Sequence, residues 1–361
     1  MLAQRLGKAS LSALSWLCRA VSPLTTNLEA PDPALWSRIM PLADQHMLLP
    51  VLLPALNRHD SLTKDIPPEV MDGLAAFHDL NQGRNGLLRE QMGNLTAALN
   101  KDGICPIWLK GATELLPADW ARSGRMMADL DFWLPDPRER KVALATMNRL
   151  GYQIIPDTDD DAWAESHQYA GRIHDSWPAM VEPHRHVVDR GLATLIPDGE
   201  ALDAVVWMDW DGMRIGRLGA RHRLVHALVQ STVMAVPRFE ASRTPLMKAL
   251  DVVNRATADF DGRLPEDLTA HLSLPAWQGT VAPFLTMTES LFGLPSPLPR
   301  NRTALNRQEL VTAFPRQAFL RQTIGRVFSR RFLERLTRPS TIPGVVRRYM
   351  DVFRTGRDTK G

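Results

Sequence analysis

Asp129 and Asp131 are separated by one residue in ADLDFWL, where Asp129, Asp131 and Trp133 alternate with Leu130, Phe132 and Leu134. This alternation predicts a strand, and a strand sends both carboxylates out of one face. Like charges held so close are costly unless cations or donors compensate them. Mg²⁺, or Mn²⁺, is a natural compensator, and metals bridged by carboxylates clamp the attacking and leaving oxygens of phosphoryl or nucleotidyl transfer. Glu182, in the extended run AMVEPHRHVV, offers a third carboxylate from an adjacent strand. His184 and His186 share its face if that run stays extended, His184 as an orienting partner for a carboxylate.

Lys110-Gly111 is a second, independent element. It ends the short apolar run ICPIWL and precedes a short helix through Leu116, an arrangement that aims backbone N–H groups at an anion. Lys110 adds a point charge for a triphosphate tail. Arg125, four residues before Asp129, faces the same phosphates or pairs with a carboxylate. Trp108 and Trp133 stand two residues from Lys110 and Asp131 and so share their respective faces, as core or pocket walls. Asp251, on a helix after Lys248, is equally explained as a solvated carboxylate.

The elements that position these groups follow from periodicity. From Leu35 to Leu99 apolar residues recur at helical spacing, including Val70, Leu74, Phe77, Leu80, Leu87, Leu88 and Met92. PDPRERKVALATMNRLG predicts a helix capped by Asp136, started by Pro137 and stopped by Gly151, with a strand at Tyr152–Ile155 after it. Asp157 to Asp161 reads as an acidic turn. Helical spacing returns in RHRLVHALVQSTVM and PLMKALDVVNRA, and the prolines from Pro265 to Pro299 argue against long helices before Arg316–Leu336. Pro183, which lacks an N–H, predicts that the Glu182 strand lies at a sheet edge. The organisation is a helical region at 1–100, an α/β core at 101–215, a helical region at 216–299 and a basic helical segment and tail at 300–361.

The 361 residues carry 43 Lys+Arg against 40 Asp+Glu, a net +3 that conceals a split. Residues 300–361 hold fifteen cations against four acids, which is +11, and residues 1–299 carry −8. An acidic body with a basic end is the result, the end being suited to an anionic partner. Cys18 and Cys105 are too few for a disulfide framework and form no zinc motif, so the reducing cytoplasm is the expected compartment. The N-terminal Leu2, Leu6, Leu11, Leu14 and Leu17 predict an amphipathic first helix, and no segment has the length and apolarity of a membrane span.

LKGAT, RMMADLDFWL, a capped helix ending RLGY, and VEPHRHV occur in that order. This resembles the uncharacterised nucleotidyltransferase-like proteins of the DNA polymerase β superfamily over about residues 30–255. The resemblance implies an α+β fold: a small polymerase-β-like mixed sheet flanked by N- and C-terminal helical regions. It implies a nucleotidyltransferase that moves a nucleoside monophosphate from Mg-NTP, ATP among the candidates, to a small-molecule, protein or RNA acceptor. In that assignment Asp129, Asp131 and Glu182 are catalytic and metal-binding, Lys110, Gly111, Thr113 and Arg125 bind nucleotide, and His184 supports the carboxylates. Two positions differ from the broader superfamily: Ala112 replaces a serine, leaving Thr113 as the available hydroxyl, and Glu182-Pro183 replaces an aspartate. These differences motivate a rival, a catalytically inactive binding protein on the same fold. A further rival is a nucleic-acid modifier docking through the Arg-rich segment QAFLRQTIGRVFSRRFLERL.

Overall fold

A computed structural model describes residues 2–59, 62–116, 124–155, 166–232 and 246–300. The acidic stretch at 157–161 and the basic segment beyond 300 lie outside these residues. Four helices come first: α1 (Leu2–Val21), α2 (Trp36–Gln45), α3 (Leu49–Leu56) and α4 (Pro68–Lys101). After them come β1 (Ile107–Trp108), a 3-10 turn (Lys110–Leu115), β2 (Asp129–Trp133), α5 (Pro137–Arg149), β3 (Gln153–Ile154), β4 (Arg172–Ile173) and β5 (Met180–His184). The described chain continues through α6 (Asp198–Asp203), β6 (Val206–Trp210), β7 (Met213–Arg217), α7 (Ala220–Thr232), α8 (Leu246–Phe260), α9 (Glu266–Leu272) and α10 (Pro275–Phe292). None of the described helices is long and apolar enough to cross a membrane.

The strands form one mixed sheet in the order β3-β4-β5-β2-β1-β7-β6. This is the helix-flanked α+β architecture that the resemblance implies. Alternation sorts its two faces. Trp108, Leu130, Phe132, Val181 and Ile215 pack under α4 and α5 with Leu88, Met92, Leu95, Leu99 and Met147. On the opposite face Ile107, Leu109 and Trp133 join the larger core built from α1, α2, α3, α7, α8 and α10. The Asp129-Asp131-Trp133 side of β2 therefore looks toward the helices α7 and α8.

The capped helix forms as its sequence dictates: Asp136 accepts from the Arg138 N–H at 2.7 Å, Pro137 fills the first position, and Gly151 takes φ 93°. Other expectations need correction. Pro183 lies within the sheet, because β5 pairs with β2 along its length and with β4 at Val181. The missing N–H is tolerated because the β4 ladder has ended there, and the Pro183 carbonyl accepts from Tyr169. Prolines do not prevent an 18-residue α10: Pro275 sits in the first turn, where an N–H has no partner anyway, and the helix runs through Pro283 to Gly293 at φ 80°. Phe77, Leu80 and Leu87 are exposed on α4, whose packed face instead includes Asn81, Asn85 and Gln91 beside Leu74 and Leu88. Apolar spacing misses that face because polar residues occupy it. It also misses the β6–β7 hairpin, which is signalled by Asp211-Gly212, a two-residue turn with φ 52° and 78°.

Candidate active site

Parallel pairing of β2 with β5 sets Asp131 opposite Glu182 and Trp133 opposite His184. Ligand atoms of Asp131, Glu182 and His184 consequently lie within 4.8 Å of one another. The His184 Nε2 donates to Asp131 Oδ1 at 2.8 Å, since an ionised carboxylate can only accept. The Lys110 ammonium bonds the same oxygen and lies 3.8 Å from Glu182 Oε2. Two carboxylates that converge on one point, one of them oriented by an imidazole, suit a divalent cation such as Mn²⁺ or Mg²⁺, and the positive group already between them shows the charge that the cluster requires. Asp129 stands apart from this trio, half-buried at the start of β2, and no described side chain bonds its carboxylate.

Charge and burial set the protonation states. Burial pushes Asp131 up, but the Lys110 charge and the His184 bond outweigh it and hold the carboxyl far below the usual range. Glu182, buried beside Asp131, is pushed up to about 8. Burial and Asp131 also raise Asp129. Burial and the Lys110 charge lower His184 to about 4, so its ring is neutral at ordinary pH.

Lys110 reaches this cluster because β1 has ended. Its φ of 47° is left-handed and turns the side chain toward Asp131, whereas Trp108 stays on the other face against Phe132, ring centroids 5.4 Å apart. The two do not share a face, since strand alternation does not extend into the 3-10 turn. His186 also leaves: β5 stops at His184, and His186 pairs with Asp198 at 2.5 Å. Thr113 donates its hydroxyl proton to the Lys110 carbonyl at 2.8 Å and receives a bond from Arg255 at 3.3 Å. A Cβ on Gly111 would overlap the Arg125 guanidinium and stand 2.9 Å from Met127 Cγ, so a side chain at 111 would push Arg125 aside.

Beside the carboxylates is a cleft of about 180 Å³ whose lining includes Lys110, Gly111, Asp129, Gln230, Lys248 and Arg255. Arg125 also lines it and forks onto Asp251 at 2.9 Å, which makes Asp251 a structural partner more than a solvated carboxylate. Arg223 pairs with Asp259 at 3.0 Å and Arg255 with Glu114 at 3.2 Å. No described carboxylate pairs with Lys248, whose pKa is lowered by burial and by the charges of Lys110 and Arg125.

A family described as an uncharacterised nucleotidyltransferase matches residues 32–293. The chain belongs to this nucleotidyltransferase family. No curated protein and no solved structure matches it. The matched span of this family member includes both the carboxylate strands and α7–α8. Of its helix-borne groups only Asp251, placed after Lys248, was singled out in the sequence, although Arg223, His226 and Gln230, then Lys248, Asp251 and Arg255, recur at three- and four-residue spacing that marks one helix face. Asn81, Asn85 and Arg84 of α4 are also absent from motif reasoning. Asn81 donates to the Gly124 carbonyl at 3.1 Å, Asn85 to the Arg125 carbonyl at 3.0 Å and Arg84 to the Met127 carbonyl, holding the segment that delivers Arg125 and leads into β2.

Proposed function

We infer that the protein transfers a nucleoside monophosphate from a nucleoside triphosphate to an acceptor hydroxyl in the cytoplasm. The observation that carries this reading is that the Asp131–Glu182 pair adjoins, through Lys110, a cleft lined by Asp129 and by Lys248, with which no described carboxylate pairs. Asp129, Asp131 and Glu182 would hold Mg²⁺ or Mn²⁺, which when bound supplies charge neutralisation at the attacked phosphorus and a more acidic acceptor hydroxyl. Lys248 and the Gly111 turn bind the phosphates. Arg125, fixed on Asp251, forms a rigid wall behind them. His184 donates to Asp131 and keeps that carboxylate ionised and oriented. The acceptor oxygen bonds to the α-phosphorus, the bond to the bridging oxygen breaks, pyrophosphate departs, and the hydroxyl proton passes to a carboxylate or water. Such chemistry depends on positioning and charge more than on covalent help. In an assay with α-labelled NTP and Mg²⁺, Asp129→Asn and Asp131→Asn should each abolish label transfer, by roughly 10³-fold, while circular dichroism stays native. Full transfer by both variants would rule the reaction out.

A further inference from the structure

Lys110 occupies the place where the carboxylate cluster needs a positive charge. Its ammonium lies on Asp131 and near Glu182, the pair that the β2–β5 register sets side by side. The same lysine lines the cleft and keeps a 21% exposed side chain, so it borders both the acids and open space. It also holds a left-handed φ of 47°, a conformation that costs a non-glycine residue energy and persists where surroundings fix it. Three readings of these facts compete. A purely structural ion pair would not need a partly exposed lysine on the wall of a cleft. A permanent phosphate ligand would not bond Asp131. A displaceable cation accounts for both placements.

We propose that Lys110 is an internal counter-ion that keeps the carboxylate site closed to free metal and yields only when metal and polyphosphate arrive together. The ammonium holds Asp131 Oδ1, the same oxygen that His184 orients, so a divalent cation that takes this oxygen competes with Lys110 for it and is repelled by its charge. Lys110 therefore leaves Asp131 when the site fills, and the nearest use for its charge is an anion in the cleft beside Lys248. Metal alone must displace the lysine without giving it a new partner. Metal with nucleotide provides one, so the two ligands bind with positive coupling. The inference rests on the proposed function in taking Asp131 and Glu182 as the metal carboxylates.

The test is a Mn²⁺ titration of the full chain followed by electron paramagnetic resonance, without nucleotide. Lys110→Met should bind Mn²⁺ at least tenfold more tightly than wild type, and Lys110→Met/Glu182→Gln should lose that gain. A non-hydrolysable NTP should tighten Mn²⁺ binding to wild type and do so much less for Lys110→Met. Because removal of a buried cation leaves acids uncompensated, Lys110→Gln is run in parallel and both variants are melted with and without Mn²⁺. A variant that unfolds without metal should regain its melting transition with it. Equal or weaker Mn²⁺ binding by Lys110→Met, a gain that survives Glu182→Gln, or no rescue by Mn²⁺ would each overturn the proposal. If wild type still transfers label in any of those cases, only the counter-ion role is lost; a wild type that transfers no label, with the Mn²⁺ gain intact, loses the reaction and keeps the counter-ion.

Discussion

Asp129, Asp131 and Glu182 come from two strands joined along their length by backbone hydrogen bonds, whereas Arg223, Lys248 and Arg255 come from helices that meet the sheet through side-chain packing and a few ion pairs. The strand half is acidic and fixed by register. The helix half is cationic and depends on how α7 and α8 sit against the sheet. Such a division lets the carboxylates govern the chemistry of the phosphorus while the helices govern how strongly phosphates are held. It also makes the contacts that join the halves, Arg125–Asp251 above all, critical for the site as a whole.

The most disruptive change short of removing the carboxylates is therefore at that joint. Asp251→Asn removes the carboxylate that the Arg125 guanidinium forks onto and that does most to offset its charge. The expected loss is roughly 3 kcal/mol of unfolding free energy, toward the low end for a buried pair because both groups keep some exposure. Thermal and urea unfolding would show it. An unchanged melting temperature with lowered turnover would instead move Asp251 into the chemistry.

Acid should act on the helix half through His46, which is buried at the end of α2. Its Nδ1 accepts from the Leu246 N–H at 3.4 Å, at the start of α8, so the ring must be neutral there. Burial lowers its pKa to about 4, against an ordinary value of 6.5. A base whose folded pKa is depressed contributes stability that is complete above 6.5 and is lost as pH falls toward 4. The size is about 3 kcal/mol by linkage. Unfolding measured between pH 7 and 4 should show this slope added to those of the other buried imidazoles, His184 and His226 among them, and His46→Gln should make the total shallower; an unaltered slope in the variant would assign the acid sensitivity elsewhere.

Lys248→Met separates the halves kinetically. With the carboxylates intact, NTP should bind about tenfold more weakly, the effect of one desolvated charge-assisted contact, while kcat changes little. Loss of kcat at constant KM would mean that Lys248 stabilises the transition state and that the division fails.

The strand half was legible because its signals are local. Period-two alternation, the one-residue gap between Asp129 and Asp131, and the Asp136-Pro137 start each lie within a few residues, so short-range geometry fixes the outcome. The helix half was not, because Lys248 is brought to Lys110 across more than a hundred residues of chain, and a polar helix face looks the same beside a cleft as beside water. The same ambiguity hid α4. Apolar periodicity selects Phe77, Leu80 and Leu87, which are exposed, because the buried side uses amides to satisfy backbone carbonyls of a neighbouring segment.

That amide row supplies the finest test of how the halves are held in register. Asn85 is almost fully buried, and its Nδ2 donates to the carbonyl of Arg125, the residue that bridges to α8. Asn85→Ala removes the donor and leaves a carbonyl less satisfied in a part-buried site, a cost of about 1 kcal/mol. If α4 only supports the fold, that cost appears in stability and nowhere else. If it also sets where Arg125 meets Asp251, Asn85→Ala and Asp251→Asn will not add: the double variant will lose less than the sum of the singles by several tenths of a kcal/mol. Strict additivity in a double-mutant cycle would show that the bridge between strand and helix halves is positioned by β2 and α8 alone.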